Sequence, residues 1–290
     1  MDYVQLAKPR SILLLLITAT TGMVVASPGL PAAVPLLCTL LAGALAAGGA
    51  NALNCYLDRD LDRSMTRTAR RPLATGTVRP AGALMFGLAS CLVSIALFSV
   101  VVNWLSAALA AFGAFYYVVV YTLWLKRRTE WNVVIGGAAG SVPLLVGSAA
   151  GSGAVAPQAI WLGIVVLLWT PPHFWSLALI RRREYARAGV PMLPVTRGEE
   201  STRRQILLYS AILLAVTVAL VPAGFAGAGF LVVALILGSV MLFMSARLFW
   251  SASDDAARQL YAYSIAYLAM LFVTMIIDRA SGWPSLLGIS

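Results

Sequence analysis

Stretches of about twenty apolar residues recur from end to end of this chain, each long enough to cross a hydrocarbon core about 30 Å thick. About nine can be marked, at 11–29, 33–55, 82–102, 104–125, 132–151, 158–180, 205–224, 227–249 and 259–278. Of the 290 residues, 60% are hydrophobic and only 11% charged, so little chain is left for a separate soluble domain. In lipid, a backbone must satisfy its own hydrogen bonds within each segment, which selects helices. The expectation is an all-α, polytopic membrane bundle of about nine transmembrane helices, one integral membrane domain over 1–290, around a central cavity open to the cytoplasmic side.

The net charge of +10 could suggest nucleic acid, but its distribution excludes that partner. Twenty of the 21 Lys and Arg fall on alternate loops, leaving Arg279 alone on the other side. The positive-inside rule then places the N-terminus and every basic loop in the cytoplasm, and an odd span count places the C-terminus outside. Cys38, Cys55 and Cys91 stand singly in apolar segments, without disulfide or metal-ligand spacing, and are read as packing residues. Only ten residues precede the first span, with neither a cleavable signal nor a transit peptide in them, so a bacterial plasma (inner) membrane is expected.

Polar chemistry concentrates in the loops after spans two and six. The first runs Asn54-Cys-Tyr-Leu-Asp58-Arg-Asp60-Leu-Asp62-Arg-Ser-Met-Thr-Arg67-Thr-Ala-Arg70-Arg71-Pro72. Residues four apart share a helix face, so Asn54, Asp58 and Asp62 would form one oxygen-bearing stripe. Carboxylates near a bilayer are costly unless paired or liganded. Asp58 and Asp62 therefore suit a magnesium ion, with Asn54 orienting a phosphate or a water. Asp60 points away and is expected to pair locally. Arg67, Arg70, Arg71, Lys126 and Arg127 are the candidates for neutralising a diphosphate. Together they point to an amphipathic substrate with a greasy tail and an anionic head.

The second loop echoes the first. Glu184-Tyr185-Ala-Arg187 leads to Met192-Leu193-Pro194-Val-Thr-Arg-Gly198, as Asp62 leads to Arg71-Pro72-Leu73-Ala-Thr-Gly76. Their four-span separation suggests a parallel duplication, about 11–125 and 132–249, followed by a ninth helix. Glu184 is the candidate second metal-binding carboxylate, against plain pairing with Arg181 or Arg187. His173, the one histidine, follows Pro171 and Pro172 inside span six. Tandem proline there suits a cavity wall, and His173 could ligate iron, accept a proton, hydrogen-bond a substrate or simply pack.

The chain resembles the UbiA-like intramembrane prenyltransferases, and within them the heme-modifying branch. The resemblance rests on Leu6-Ala-Lys8-Pro9-Arg10, the run from Asn51 to Gly76, Tyr121 to Thr129 with Asn132 to Gly137, Pro172-His173-Phe174-Trp175, and Tyr185 to Pro194. It implies magnesium-dependent transfer of farnesyl from farnesyl diphosphate to a vinyl group of heme b, with heme as substrate. It implies catalytic roles for Asn54, Asp58, Asp62 and His173, and substrate contacts from Arg67, Arg70, Arg71, Lys126, Arg127 and Tyr185. Membrane lipid and a downstream heme A-forming enzyme are the implied partners. One departure stands out, because the family's second motif has two aspartates four apart where this chain has Glu184 and Ala188. Prenyl transfer to an aromatic or quinone precursor, and a nine-span transporter, are the competing readings. A phosphatase reporter fused after Gly153 should be active outside and one fused after Thr75 silent; the opposite pattern inverts the topology.

Overall fold

Residues 2–281 are described in a computed structural model. Among them are nine long helices and no strands: α1 (Pro9–Ala26), α2 (Ala33–Leu57), α3 (Pro80–Val102), α4 (Trp104–Leu125), α5 (Asn132–Ser152), α6 (Pro157–Ile180), α7 (Gly198–Val218), α8 (Ala228–Ser251) and α9 (Asp254–Ala280). Eight are long and apolar enough to cross a membrane. The exception, α7, starts seven residues before the expected 205, because Glu199, Glu200, Arg203 and Arg204 occupy its first two turns. A chain with this many apolar helices is an integral membrane protein.

The most enclosed long helix is α6, which packs against α1, α5, α7 and α9. Its core is led by Leu162, Val165 and Trp175, all fully buried. Pro171 and Pro172 lie inside it without ending it. Thr170 and Ser176 turn their hydroxyls back onto the carbonyls of Val166 and Pro172, at 2.8 and 2.6 Å. The outward surfaces carry Leu37, Leu92, Phe112, Ile236 and Phe243, as expected where lipid is the solvent.

Close helix contacts depend on small residues. A Cβ on Gly147 of α5 would run into the Ala19 carbonyl of α1, and one on Gly22 into the Leu144 carbonyl. The same logic of satisfied polarity explains Asp278, a buried acid near the end of α9. It accepts from the backbone N–H groups of Gly227 (2.8 Å) and Phe230 (3.3 Å), capping α8 from a neighbouring helix.

The two polar loops share local form. Each holds a one-turn helix with proline in its first turn, Pro72–Thr75 and Leu193–Thr196. Each is followed by a glycine in the left-handed region, Gly76 (φ 81°) and Gly198 (φ 82°). Gly147→Val should destabilise the α1–α5 contact by about 1–3 kcal/mol, measured as a lower unfolding midpoint in detergent; an unchanged midpoint would show that these helices do not meet this closely.

Candidate active site

The site forms where α2 ends. The helix turns off its axis at Asp58 (φ −91°, ψ 6°), and a short helix, Arg59–Ser64, continues from it. The break keeps the four-residue rhythm, since Asp58 N–H bonds the Asn54 carbonyl (2.9 Å) and Asp62 N–H the Asp58 carbonyl (2.8 Å). Asn54, Asp58 and Asp62 are all buried, at 4%, 1% and 4% exposure. Three acceptor-bearing side chains are thus brought together with water largely excluded.

Each carboxylate meets a cation from elsewhere in the chain. Lys126 bonds Asp58 Oδ2, and Arg71 Nη1 lies 2.8 Å from both oxygens of Asp62. The local geometry of α4 explains why Lys126 arrives here. Its last ten residues, Tyr116–Leu125, wind as a π-helix, and Lys126 N–H bonds the Tyr121 carbonyl five residues back. Such wide turns are frequent at functional sites.

Lys8 completes the cluster, and sequence reasoning gave it no role. Its ammonium donates to Asn54 Oδ1 at 2.7 Å, while Asn54 Nδ2 donates to Asp58 Oδ2 (2.8 Å) and Thr122 Oγ1 (3.1 Å). Since lysine only donates, it fixes which way the Asn54 amide points. Asn54 therefore positions Asp58, and its polar atoms are already engaged by protein. Lys8 holds a left-handed backbone (φ 57°, ψ 63°) ahead of Pro9, a conformation costing about 1–3 kcal/mol. Asn51 secures the segment by donating to the Ala7 carbonyl at 2.9 Å. Burial pulls the Lys8 ammonium down to about 8. The only signal in the sequence was its place in the Lys8-Pro9 stretch.

The remaining candidates divide. Arg127 clamps Asp60 through two 2.7 Å bonds and holds that carboxyl at about 2. Asp60 is thus paired across the bundle rather than locally, and Arg127 is committed to it, 3.9 Å from Asp58 Oδ1. Arg67 and Arg70 are exposed on the loop. Tyr185 is buried, which pushes its phenol up, and Arg67, Lys126 and Glu184 lie within electrostatic reach of it. Glu184 bonds Arg181 at 2.7 Å. It lines a cleft of about 310 Å³ with Arg181, Arg182, Arg183, Arg187 and Asp254. His173 is 8% exposed, stacked between Trp169 and Tyr261 and bonded through Nδ1 to Ser264 Oγ at 2.7 Å.

Whether these residues fit a divalent metal can be tested on Asp58. Its Oδ1 is buried and has no hydrogen-bond partner among the described residues, and the same holds for Glu184 Oε2. An ionised oxygen left without a donor is costly unless a cation completes it, so the donor set fits a hard ion such as magnesium. No group of three His, Cys, Asp or Glu side chains is gathered for a metal among the described residues. Further ligands must then come from substrate phosphate or water.

A model of the UbiA prenyltransferase family matches residues 15–275. The chain belongs to the UbiA prenyltransferase family. Among curated relatives, the protoheme IX farnesyltransferase of Roseiflexus castenholzii is 47% identical, covering 96% of this chain and 52% of its own length. That of Afipia carboxidovorans is 44% identical, covering 97% and 90%. The chain thus spans about half of the first relative and nine-tenths of the second. Two solved structures share this fold. One, of digeranylgeranylglyceryl phosphate synthase, has a TM-score of 0.79 at 16% identity and covers 97% of this chain and 98% of that one. The other is a UbiA homolog from Archaeoglobus fulgidus bound to DMAPP and Mg2+, with a TM-score of 0.69 at 17% identity, covering 94% and 99%.

The Asp58–Lys126 pair carries its own test. Lys126→Met strands a buried charge and should cost about 3–5 kcal/mol in unfolding free energy. Adding Asp58→Asn should recover most of that loss; a double variant as unstable as the sum of the singles would mean that the pair is not coupled.

Proposed function

We propose that this UbiA-family protein transfers a farnesyl group from farnesyl diphosphate to a vinyl group of heme b, giving heme O. The observation that carries the reading is Asp58, a buried carboxylate with one unpartnered oxygen, set among Lys8, Arg71 and Lys126. The similarity to protoheme IX farnesyltransferases supports heme as the acceptor. The A. fulgidus homolog with DMAPP and Mg2+ supports the diphosphate and the metal.

Asp58 and Asp62 would hold the magnesium, with Glu184 as a further carboxylate across the mouth. When bound, the ion neutralises charge that develops on the departing diphosphate. Lys126 and Arg71 are the cations already beside those carboxylates, and Lys8 lies one hydrogen bond away through Asn54. They supply positive charge aimed at the leaving group without reorganisation at the moment of reaction. Arg67 and Arg70, exposed on the loop, are the donors free to meet an incoming headgroup, and Tyr185 is a buried hydroxyl within electrostatic reach of Arg67. Arg127 contributes by holding the loop through Asp60.

The bonding changes follow from that charge distribution. The C1–O bond of the farnesyl group breaks with its electron pair going to diphosphate. The vinyl π pair of heme then forms the new C–C bond to C1. Water adds to the carbon left positive beside the porphyrin ring and loses a proton, leaving a hydroxyl. Apolar walls keep water from C1 until then. The product's tail keeps it in the membrane, where a heme A-forming enzyme could take it.

The two loops with their matched proline turns and left-handed glycines support an ancient duplication of a four-helix unit. Twenty of 21 basic residues on alternate loops support a cytoplasmic N-terminus and active face, in a bacterial plasma membrane. The C-terminal end, proposed to lie outside, falls beyond the described residues.

The experiment is diphosphate release by the purified protein with farnesyl diphosphate and either heme b or 4-hydroxybenzoate, with and without a chelator. Heme-dependent, chelator-sensitive release is expected. Asp58→Asn and Asp62→Asn should each lower kcat by about a hundredfold or more in a protein that still folds. Release with 4-hydroxybenzoate alone would transfer the activity to aromatic acceptors, and normal rates in both variants would discard the metal assignment.

A further inference from the structure

His173 is held in one tautomer, and the reason is a single proton. Ser264 Oγ lies 2.7 Å from the Tyr261 carbonyl oxygen. That oxygen has no hydrogen to give, so the hydroxyl proton must lie between them. The same Oγ lies 2.7 Å from His173 Nδ1. With its proton committed, Oγ can only accept, so Nδ1 carries the hydrogen. A neutral imidazole has one N–H, and Nε2 therefore presents a lone pair.

None of the described residues uses that lone pair. Nε2 has no hydrogen-bond partner among the described residues, and it is not one of the fully buried orphan atoms, so it keeps some accessible surface on a side chain that is 8% exposed. The ring around it cannot turn. Trp169 stacks on one face (4.5 Å between centroids, 16° between planes) and Tyr261 on the other (4.7 Å, 22°). The Trp169 indole N–H is itself anchored on the Ser264 carbonyl at 2.7 Å. Phe174 meets the imidazole edge-on at 5.1 Å.

Resting on heme b as the acceptor, we propose that His173 Nε2 is an axial ligand to the iron of the substrate heme. A histidine that ligates a metal almost always donates its other N–H to a fixed acceptor, which sets the tautomer and the direction of the lone pair. Ser264 does this here, and the two stacked rings add the angular constraint. The geometry argues against a proton acceptor. A proton taken at Nε2 could not be passed on, because Ser264's hydrogen ends at a carbonyl, and no carboxylate among the described residues hydrogen-bonds the ring to offset a buried imidazolium. Iron uses the same lone pair without that charge. Ligation would also hold the porphyrin still while one of its vinyl groups meets the farnesyl carbon.

The test is optical and resonance Raman titration of the full-length protein in detergent with ferric and ferrous heme b, alongside binding of farnesyl diphosphate. Wild type should show an iron–histidine signature. His173→Ala should lose it and weaken heme binding more than tenfold, with added imidazole restoring the signature. Ser264→Ala, which frees the tautomer, should weaken heme binding about tenfold and leave diphosphate affinity unchanged. If the Ala variant does not fold, His173→Gln fills similar space and gives the same reading. Unchanged heme spectrum and affinity in the His173 variant overturn the proposal, and a fall in rate alone would instead mark a proton acceptor. Wild type that binds no heme b but turns over with an aromatic acceptor removes both this inference and the heme reading; wild type that transfers farnesyl to heme without an iron–histidine signature removes only the ligand.

Discussion

Carboxylates at the mouth of a lipid-embedded bundle are tolerable only with positive charge against them, and the polar end of this protein is organised to deliver it. Asp58 draws Lys126 from the end of α4, Asp62 draws Arg71 from the following loop, and Asn54 draws Lys8 from the N-terminal segment. None of these cations is a near neighbour on the same helix turn. These two ion pairs and one hydrogen bond therefore hold together the N-terminal segment, two helices and a loop, while apolar packing holds the rest. In the proposed loaded site, a divalent ion would take the carboxylates and the released cations would face phosphate oxygens. The resting pairs and the loaded site are two ways of balancing one set of charges.

Backbone irregularity is the means by which these groups converge. A straight α2 would carry Asp58 and Asp62 on along its axis; the turn at Asp58 redirects the chain while keeping the hydrogen-bond rhythm. A regular α4 would rotate Lys126 by a fraction of a turn, and the π-helical stretch alters that phase. Lys8 reaches Asn54 from a left-handed backbone position. Departures of this kind persist when their surroundings over-determine them. Here the surroundings are Asn51 on the Ala7 carbonyl and Thr122 between Asn54 and the Tyr117 carbonyl.

Bundle class, helix number and the acidic stripe were legible because they depend on local periodicity and on the thickness of a bilayer. The pairing of charges was not. Spacing alone put Asp60 with a neighbouring arginine, yet its partner is Arg127, 67 residues away. That bidentate clamp also takes up one of the arginines expected to meet diphosphate. The start of α7 was missed because a hydropathy window stops at its charged first turns, although those turns are helical. Asn54 looked like a phosphate contact by its place in the stripe, but only tertiary packing reveals that Lys8 and Thr122 occupy its amide. Lys8 had a motif and no chemistry until α2 lay beside it.

The two polar loops are not equally equipped, and the difference has a physical reading. In the first loop, two buried carboxylates each face a cation; a buried carboxylate oxygen without a donor is found in both loops, on Asp58 and on Glu184. In the second, Glu184 stands with Ala188 four residues on, and Arg182 is spent bridging Glu199 (2.6 Å) and Asp254 (2.8 Å) from α7 and α9. Those bridges tie the end of α6 to its neighbours, so the arginine stabilises the helix that carries His173 rather than waiting for a phosphate. Arg181 is similarly held by Glu184. The first loop thus gathers buried carboxylates with their cations, while the second ties down the helix that carries the aromatic-clamped His173, an asymmetry that the proposed pair of chemically unlike substrates would require.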